Sequence, residues 1–276
     1  MSKPYILALS PVEIPKVEHK LVAWWKFDEA EGSNVGDSSG NDFAGTLFGN
    51  PQWQPTGGKI GGALAFDGID DYIDCGSHAS LNLTEGVSVA AWIKLNGPTE
   101  DQKIVSNQGG VSGYKVSIYD NKVELEIRGS SLAINRGVEG GTVLEPGTWY
   151  HIVGTYDQGV SIKTYVNAKL DRELETTSIL APSTGTLKIG RESFDYGDMY
   201  WFNGLMDDLR IYSYALSDAE VAALYAGEEL TSTVPGVLAA SGEKTRTSNY
   251  LILTLVIVII AVMAVGLVIR RQKATA

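Results

Sequence analysis

Apolar and polar positions alternate with a period of two through most of the chain. Val87, Val89, Ala91, Ile93 and Leu95 fall on one side of residues 87–95. Residues 122–128 alternate more cleanly, with Val123, Leu125 and Ile127 on one side and Glu124, Glu126 and Arg128 on the other. Successive side chains of an extended strand point to opposite faces, so each stretch predicts a strand with one buried side. Asp120-Asn121 separates the second stretch from residues 114–119 and predicts a tight hairpin. Residues 149–156 and 160–166 predict another pair, joined around Asp157-Gln158-Gly159. A turn at Asn167-Ala168 fits less well, because it lacks the glycine that reaches positive φ cheaply. One short helix is predicted. Ser217 and Glu220 form a capping box, Val221, Leu224 and Tyr225 give its apolar stripe, and Gly227 stops it. Short strands at close intervals without a long helical period predict an all-β sandwich or barrel.

The pattern changes at the C-terminal end. Residues 250–269 carry no charge and end at Arg270 and Arg271. A helix rises about 1.5 Å per residue, so roughly 20 apolar residues cross the ~30 Å hydrocarbon core of a bilayer. The run predicts a single transmembrane helix at 250–269 with the lipid bilayer as its partner. Arg270, Arg271 and Lys273 follow it, against Lys244 and Arg246 with Glu243 before it. This slight basic bias places the tail 270–276 in the cytoplasm and the preceding domain outside the cell membrane. Residues 228–249, rich in Ser, Thr, Gly and Glu and carrying Pro235, read as a flexible stalk. Residues 1–20 read as an N-terminal extension. Their apolar patch, residues 5–9 between Pro4 and Pro11, is shorter than a secretory signal requires. Three readings follow: a fragment of a longer precursor, a misassigned start, or a tail-anchored chain with its domain inside.

Composition narrows the field. A formal net charge of -11 excludes a general nucleic-acid binder, which needs a basic footprint. It suits an extracellular domain that stays soluble or takes up divalent cations. Cys75 is the single cysteine, so no intramolecular disulfide and no multi-cysteine metal motif is available. It reads as a small buried hydrophobe.

Several segments together resemble one family. They are Leu21-Val22-Ala23-Trp24-Trp25-Lys26-Phe27-Asp28-Glu29, Asp37-Ser38-Ser39-Gly40-Asn41, Gly62-Ala63-Leu64-Ala65-Phe66-Asp67-Gly68 with Asp70-Asp71-Tyr72, Ala91-Trp92-Ile93, Gly147-Thr148-Trp149-Tyr150-His151-Ile152, and the run from Phe202 through Asp207-Asp208 to Tyr212. In order and spacing they resemble the LamG-like jelly roll of the concanavalin A-like lectin/glucanase superfamily. The resemblance covers 21–227 and implies two antiparallel sheets packed face to face. It implies a module for binding sugars or proteins outside cells, and fold alone does not fix the ligand.

The same resemblance implies a structural calcium between the early loop and the start of the last strand, with Asp28, Asp37, Asn41 and Asp207 as ligands and Asp208 as an alternate. Calcium takes six to eight oxygens, which such residues supply. The alternative is that Asp37 and Asn41 cap turns through their own backbone. The aromatic and acidic loop 191–201 reads as a sugar site through Arg191, Tyr196, Tyr200 and Trp201, since flat rings stack on sugar faces. Glu124-Leu125-Glu126-Ile127-Arg128 has a faint likeness to the alternating carboxylates of superfamily glycoside hydrolases. Arg128 stands where a carboxylate belongs, and the stretch reads more simply as the solvent side of an amphipathic strand. His19, His78 and His151 form no triad pattern. Asn82-Leu83-Thr84 matches the N-glycosylation sequon. The sequence thus reads as a non-enzymatic, membrane-anchored recognition or adhesion module with a glycan or extracellular protein as ligand. A structural or accessory C-terminal domain of a larger surface protein is the alternative, and a glycoside hydrolase stands behind both.

Overall fold

The computed structural model describes residues 20–98, 100–110, 112–129, 136–193 and 200–230. The strands run β1 (Leu21–Trp25), β2 (Asn34–Val35), β3 (Gly45–Phe48), β4 (Gln52–Gln54), β5 (Ala63–Asp67), β6 (Tyr72–Asp74), β7 (Gly86–Leu95) and β8 (Asp101–Gly109). They continue with β9 (Ser112–Tyr119), β10 (Lys122–Arg128), β11 (Arg136–Glu139), β12 (Trp149–Asp157), β13 (Ser161–Val166), β14 (Lys169–Glu175), β15 (Lys188–Ile189) and β16 (Asn203–Tyr212). One helix, α1 (Asp218–Tyr225), follows.

These strands form two antiparallel sheets. Sheet A has the order β14-β13-β12-β7-β16-β5-β4, with β1 also paired to β16. Sheet B has the order β11-β10-β9-β8-β15-β6-β3-β2. The expected all-β, two-sheet jelly roll is the observed architecture. The period-two pattern explains its core. Val87, Val89, Ala91, Ile93 and Leu95 of β7 lie in the same buried cluster as Val123, Leu125 and Ile127 of β10. Burying one such side chain contributes about 1.5–3 kcal/mol, and the two sheets share dozens of them.

The turns follow local chemistry. Asp120 and Asn121 take φ of 48° and 59°, the left-handed pair that a two-residue hairpin needs. Asn167 and Ala168 adopt the same conformation at 49° and 63°, so the turn forms without a glycine. The surrounding β13–β14 pairing, held from Val166–Lys169 outward, outweighs the cost of placing alanine there. The helix begins as expected. Glu220 accepts from the Ser217 N–H at 2.8 Å, the Ser217 hydroxyl accepts from the Glu220 N–H, and Gly227 ends it at φ 80°. Val221 and Leu224 then pack on the outer side of sheet A with Ala90, Val153, Tyr165, Tyr212 and Tyr214. This second small core is why β7 is buried on both faces.

One irregularity matters for the chemistry. Pairing of β16 with β7 shifts register between Asp207 and Arg210, and Asp208 sits at φ 51°. This β-bulge lets two consecutive aspartates leave the core between Met206 and Leu209, both of which are buried. Cys75 is buried and free, as expected for a small hydrophobe. Among the described residues no helix is long and apolar enough to cross a membrane. The predicted span 250–269, the tail and nearly all of the predicted stalk lie outside the described residues, as does the extension 1–19.

Candidate functional site

Sheet B turns one side to the core and the other outward. Its pairing aligns Leu125, Val116, Val105, Ile189, Ile73 and Leu47 in one row across six strands. The first five are buried in the core and Leu47 packs against it. The next position along each strand faces the other way. The same registers therefore build a second row on the outer side: Glu126, Lys115, Ser106, Lys188, Asp74 and Thr46. Glu124, Ser117 and Lys103 form a shorter row beside it.

Charges of both signs meet along these rows. Lys115 Nζ lies 3.1 Å from Glu126 Oε2 and 3.9 Å from Glu192 Oε2. Glu126 also takes the Arg128 Nε–H at 2.5 Å. Glu192 accepts from the Ser106 hydroxyl and the Ser193 N–H. Lys103 is ion-paired with Asp101, and the Ser117 hydroxyl donates to Glu124 at 3.0 Å. The two β10 carboxylates shift in opposite directions. Burial raises the pKa of Glu124, with Lys115 only partly offsetting it. Burial would raise Glu126 too, but Lys115 and Arg128 pull it below the usual carboxylate range. The three neighbouring glutamates in turn outweigh burial and raise Lys115.

An aromatic shelf closes one end of this face. Phe48 of β3 stacks on Tyr72 of β6 with ring centroids 4.8 Å apart and 12° between planes. Trp201 is tilted against Tyr72 at 5.8 Å. The Arg191 guanidinium lies over both, 5.0 Å from the Tyr72 ring centre and 4.5 Å from that of Trp201. Lys188 Nζ lies 5.5 Å from the Tyr72 ring centre. Phe48 is 42% exposed, and the buried Trp201 Nε1–H has no acceptor among the described residues. Of the four residues expected to touch a ligand, the fold brings Arg191 and Trp201 together. Tyr200 lies under Lys103 instead, 4.5 Å from its ammonium, and Tyr196 lies outside the described residues. Phe48, Tyr72 and Lys188 were not expected there, because their join depends on β3, β6 and β15 becoming neighbours.

The residues expected to bind calcium fall into three groups. Asp37 accepts four hydrogen bonds, from Trp24 N at 2.9 Å, Ser39 N at 2.9 Å, the Ser39 hydroxyl at 2.7 Å and Phe43 N at 3.0 Å. Burial alone would raise its pKa, yet these donors lower it. Asn41 spends its amide N–H groups on the Val22 and Leu21 carbonyls at 2.8 and 3.2 Å. Both residues therefore fasten the early loop to β1. Asp208 accepts from Trp24 Nε1 at 2.5 Å and pairs with Arg210 at 3.0 Å. Asp28 and Asp207 share a different task, holding one glycine loop. Asp28 accepts from Gly62 N at 2.7 Å, and Asp207 Oδ2 accepts from Lys59 N and Ile60 N at 2.7 and 2.8 Å. A Cβ on Gly61 would meet the Asp28 carboxylate at 2.4 Å, and one on Gly58 would meet the Gly62 carbonyl at 1.9 Å and the Asp207 carboxylate at 2.9 Å, which explains the glycines. Asp207 is fully buried and its Oδ1 has no partner among the described residues. Burial, with the charges of Asp208 and Asp28, pushes its pKa up to about 7 against the pull of the two N–H groups. An orphaned, buried carboxylate oxygen beside a second carboxylate fits a cation, and the cation would come to Asp28 and Asp207. Elsewhere among the described residues, Asp67, Asp70 and Asp71 offer ligand atoms within 4.8 Å of one another. Asp71 and Asp67 already accept backbone N–H groups of their own turn and of Asn50.

An antiparallel jelly roll with one polar sheet face edged by aromatic rings defines the class. Residues 67–222, more than half of the chain, match the Laminin_G_3 family of the concanavalin A-like lectin/glucanases superfamily, and the chain belongs to it. Among solved structures, it is similar to domain 4 of AbnA, a GH43 extracellular arabinanase from Geobacillus stearothermophilus, solved in complex with arabinotriose. The identity is 25%, with 75% of this chain and 99% of that one covered and a TM-score of 0.58. It also shares its fold with the binding domain of Paraclostridial Mosquitocidal Protein 1, at 16% identity, 75% and 52% coverage and a TM-score of 0.63. The binding domain of botulinum neurotoxin serotype G gives 16% identity, 75% and 51% coverage and a TM-score of 0.58. The chain spans about half the length of these two toxin domains. No curated protein matches it.

The ion-pair network on this face is testable. Lys115→Met would leave Glu192 without its cation and Glu126 with Arg128 alone. Breaking a fully buried ion pair costs about 3–5 kcal/mol, and this partly exposed network, which keeps Arg128, should lose about 1–3 kcal/mol. Urea unfolding followed by tryptophan fluorescence should show a loss of that order. A loss within measurement error would mean that the network is solvated and contributes nothing to the face.

Proposed function

We propose that this chain is a non-catalytic recognition module whose ligand is a glycan bound at the Phe48–Tyr72–Trp201 shelf, at the end of the outer face of sheet B. The carrying observation is the juxtaposition of stacked rings, an unaccepted indole N–H and a row of charged and hydroxyl groups on one sheet face. Such a surface offers both things a sugar needs: apolar ring faces for its C–H groups and oriented polar groups for its hydroxyls. The arabinanase domain supports the reading, since its structure holds arabinotriose and nearly all of it aligns with this chain. Glu126 is committed to Lys115 and Arg128, and this favours recognition over hydrolysis. That arabinanase module is one domain of a larger enzyme, which favours an accessory role as the second reading.

The domain order that carries this function is the N-terminal extension 1–20, the jelly roll 21–227, the stalk 228–249, the span 250–269 and the tail 270–276. The uncharged run 250–269 followed by Arg270 and Arg271 supports a single-pass anchor with the jelly roll outside and the tail in the cytoplasm. A structural calcium held by Asp28 and Asp207 would neutralise the buried carboxylate and tie the glycine loop to the last strand.

Three outcomes check this reading. On a glycan array and by titration calorimetry, the purified chain should bind a defined set of glycans, and Tyr72→Ala should weaken the best of them about tenfold, the scale of one aromatic contact. Unchanged binding would move the site off the shelf. Protease added to intact cells should remove the jelly roll and leave the anchor; protection until the membrane is permeabilised would put the domain inside. For calcium, the sign follows from Asp207. Its carboxyl ionises near 3.8 when unfolded and near 7 when folded, so metal-free stability falls as pH rises through that window. Calcium must compete with the same proton, so its stabilisation should grow as pH rises past about 7 and vanish in Asp207→Asn. Equal melting temperatures in millimolar calcium and in chelator at pH 8 would rule the metal out.

A further inference from the structure

We propose that the glycan read at this shelf is acidic, with Lys188 receiving its anionic substituent, a uronate or sialate carboxylate or a sulfate ester. The inference rests on the shelf being the glycan site and goes further by naming the ligand's charge.

The basis is a difference among the lysines on the outer side of sheet B. Lys103 is paired with Asp101, Lys115 with Glu126 and Glu192, and Lys122 with Glu139 and Asp120. Lys188 alone among these lysines has no carboxylate within ion-pair distance among the described residues. Its strand neighbours Leu187 and Ile189 are both buried in the core, which fixes Lys188 on the outer side. There it lies between Ser106 and Asp74. The Asp74 carboxylate accepts the Gly76 N–H at 2.8 Å rather than the ammonium. Lys188 is only 9% exposed as a residue, and its ammonium lies 5.5 Å from the Tyr72 ring centre. A cation so placed is under-compensated: a ring quadrupole offers less than a carboxylate, and burying an unpaired charge is costly. An incoming anion would complete the pair.

The surroundings set the kind of acid. The Arg191 guanidinium lies 5.0 Å from the Tyr72 ring centre, so a second basic group borders the shelf. The chain as a whole carries -11, and its field repels long polyanions. A short glycan with one acid group near the shelf meets the local cations without that penalty. Of the row's hydroxyls, the buried Ser106 is committed to Glu192, whereas Thr46, beyond Asp74, is exposed and can serve either carboxylate or sulfate.

The test uses the full chain in detergent on an array that carries neutral, uronate-, sialate- and sulfate-bearing glycans, followed by titration with the best acidic hit and its carboxyl-reduced or desulfated counterpart. Hits should be confined to acidic glycans, and the neutral counterpart should bind at least tenfold more weakly to the wild-type chain. Lys188→Met, which keeps the stem against Tyr72, should lose the acidic preference, and Lys188→Arg should retain most of it. Raising the salt should weaken the acidic ligand and leave any neutral one unaffected. Which acid the hits carry identifies the source of the charge. Wild-type chain that binds acidic glycan and neutral counterpart equally overturns the inference and leaves the glycan reading standing. An array without any hit sinks both. Because the matched-glycan comparison uses wild-type chain, it decides the matter even if Lys188→Met fails to fold.

Discussion

Packing of one apolar row between the sheets orders the outer face of sheet B. Leu125, Val116, Val105, Ile189, Ile73 and Leu47 belong to six strands and line up because that alignment buries them together. A slip of one residue in any strand would send its apolar set to water, so the register is strongly specified. The charged row one position further along is the geometric consequence. Its residues gain their neighbours from the core behind them and need little mutual attraction to be assembled.

That arrangement explains how a strongly acidic chain keeps a balanced local surface. Lys115 stands between Glu126 and Glu192, and Arg128 lies against Glu126, so each glutamate on the face is matched or hydrogen-bonded. The aromatic shelf lies where the same face reaches β6 and β3, beside Lys188, which has no carboxylate within ion-pair distance among the described residues. The opposite sheet shows the complementary logic. There the bulge at Asp207–Asp208 breaks strict alternation and directs two adjacent carboxylates into different jobs, one paired with Arg210 and Trp24, the other cradling the glycine loop. A regular strand would have driven one of them into the core.

Much of this was legible in the chain. The alternation at 122–128, the left-handed pair Asp120-Asn121 and the Ser217–Glu220 capping box are short-range patterns, and each appears where its local chemistry places it. Asn167-Ala168 was less legible, because pairing on both sides compensates for a poor turn residue. At the candidate site, Arg191 and Trp201 were read from a dense aromatic loop and do meet, while Tyr200 turned to Lys103. Asp37 and Asn41 were read for their oxygens; in the structure the Asp37 carboxylate accepts from the Trp24 and Phe43 N–H groups, while Asn41 donates its amide N–H to the Val22 carbonyl.

The sequence by itself determined that this is an all-β protein, sandwich or barrel, with one short helix after its strands, because strand period, turn residues and caps act within a few positions of one another. It also set the acidic balance and the uncharged run at 250–269, which are properties of composition alone. Only the tertiary structure decided that Phe48, Tyr72, Lys188, Arg191 and Trp201 form one surface, that Lys115 joins Glu126 to Glu192, and that Asp207 keeps an unpaired oxygen while Asp208 does not. These depend on which strands lie side by side and on a single bulge. Such choices are made by the summed burial of distant residues, and no local pattern records them.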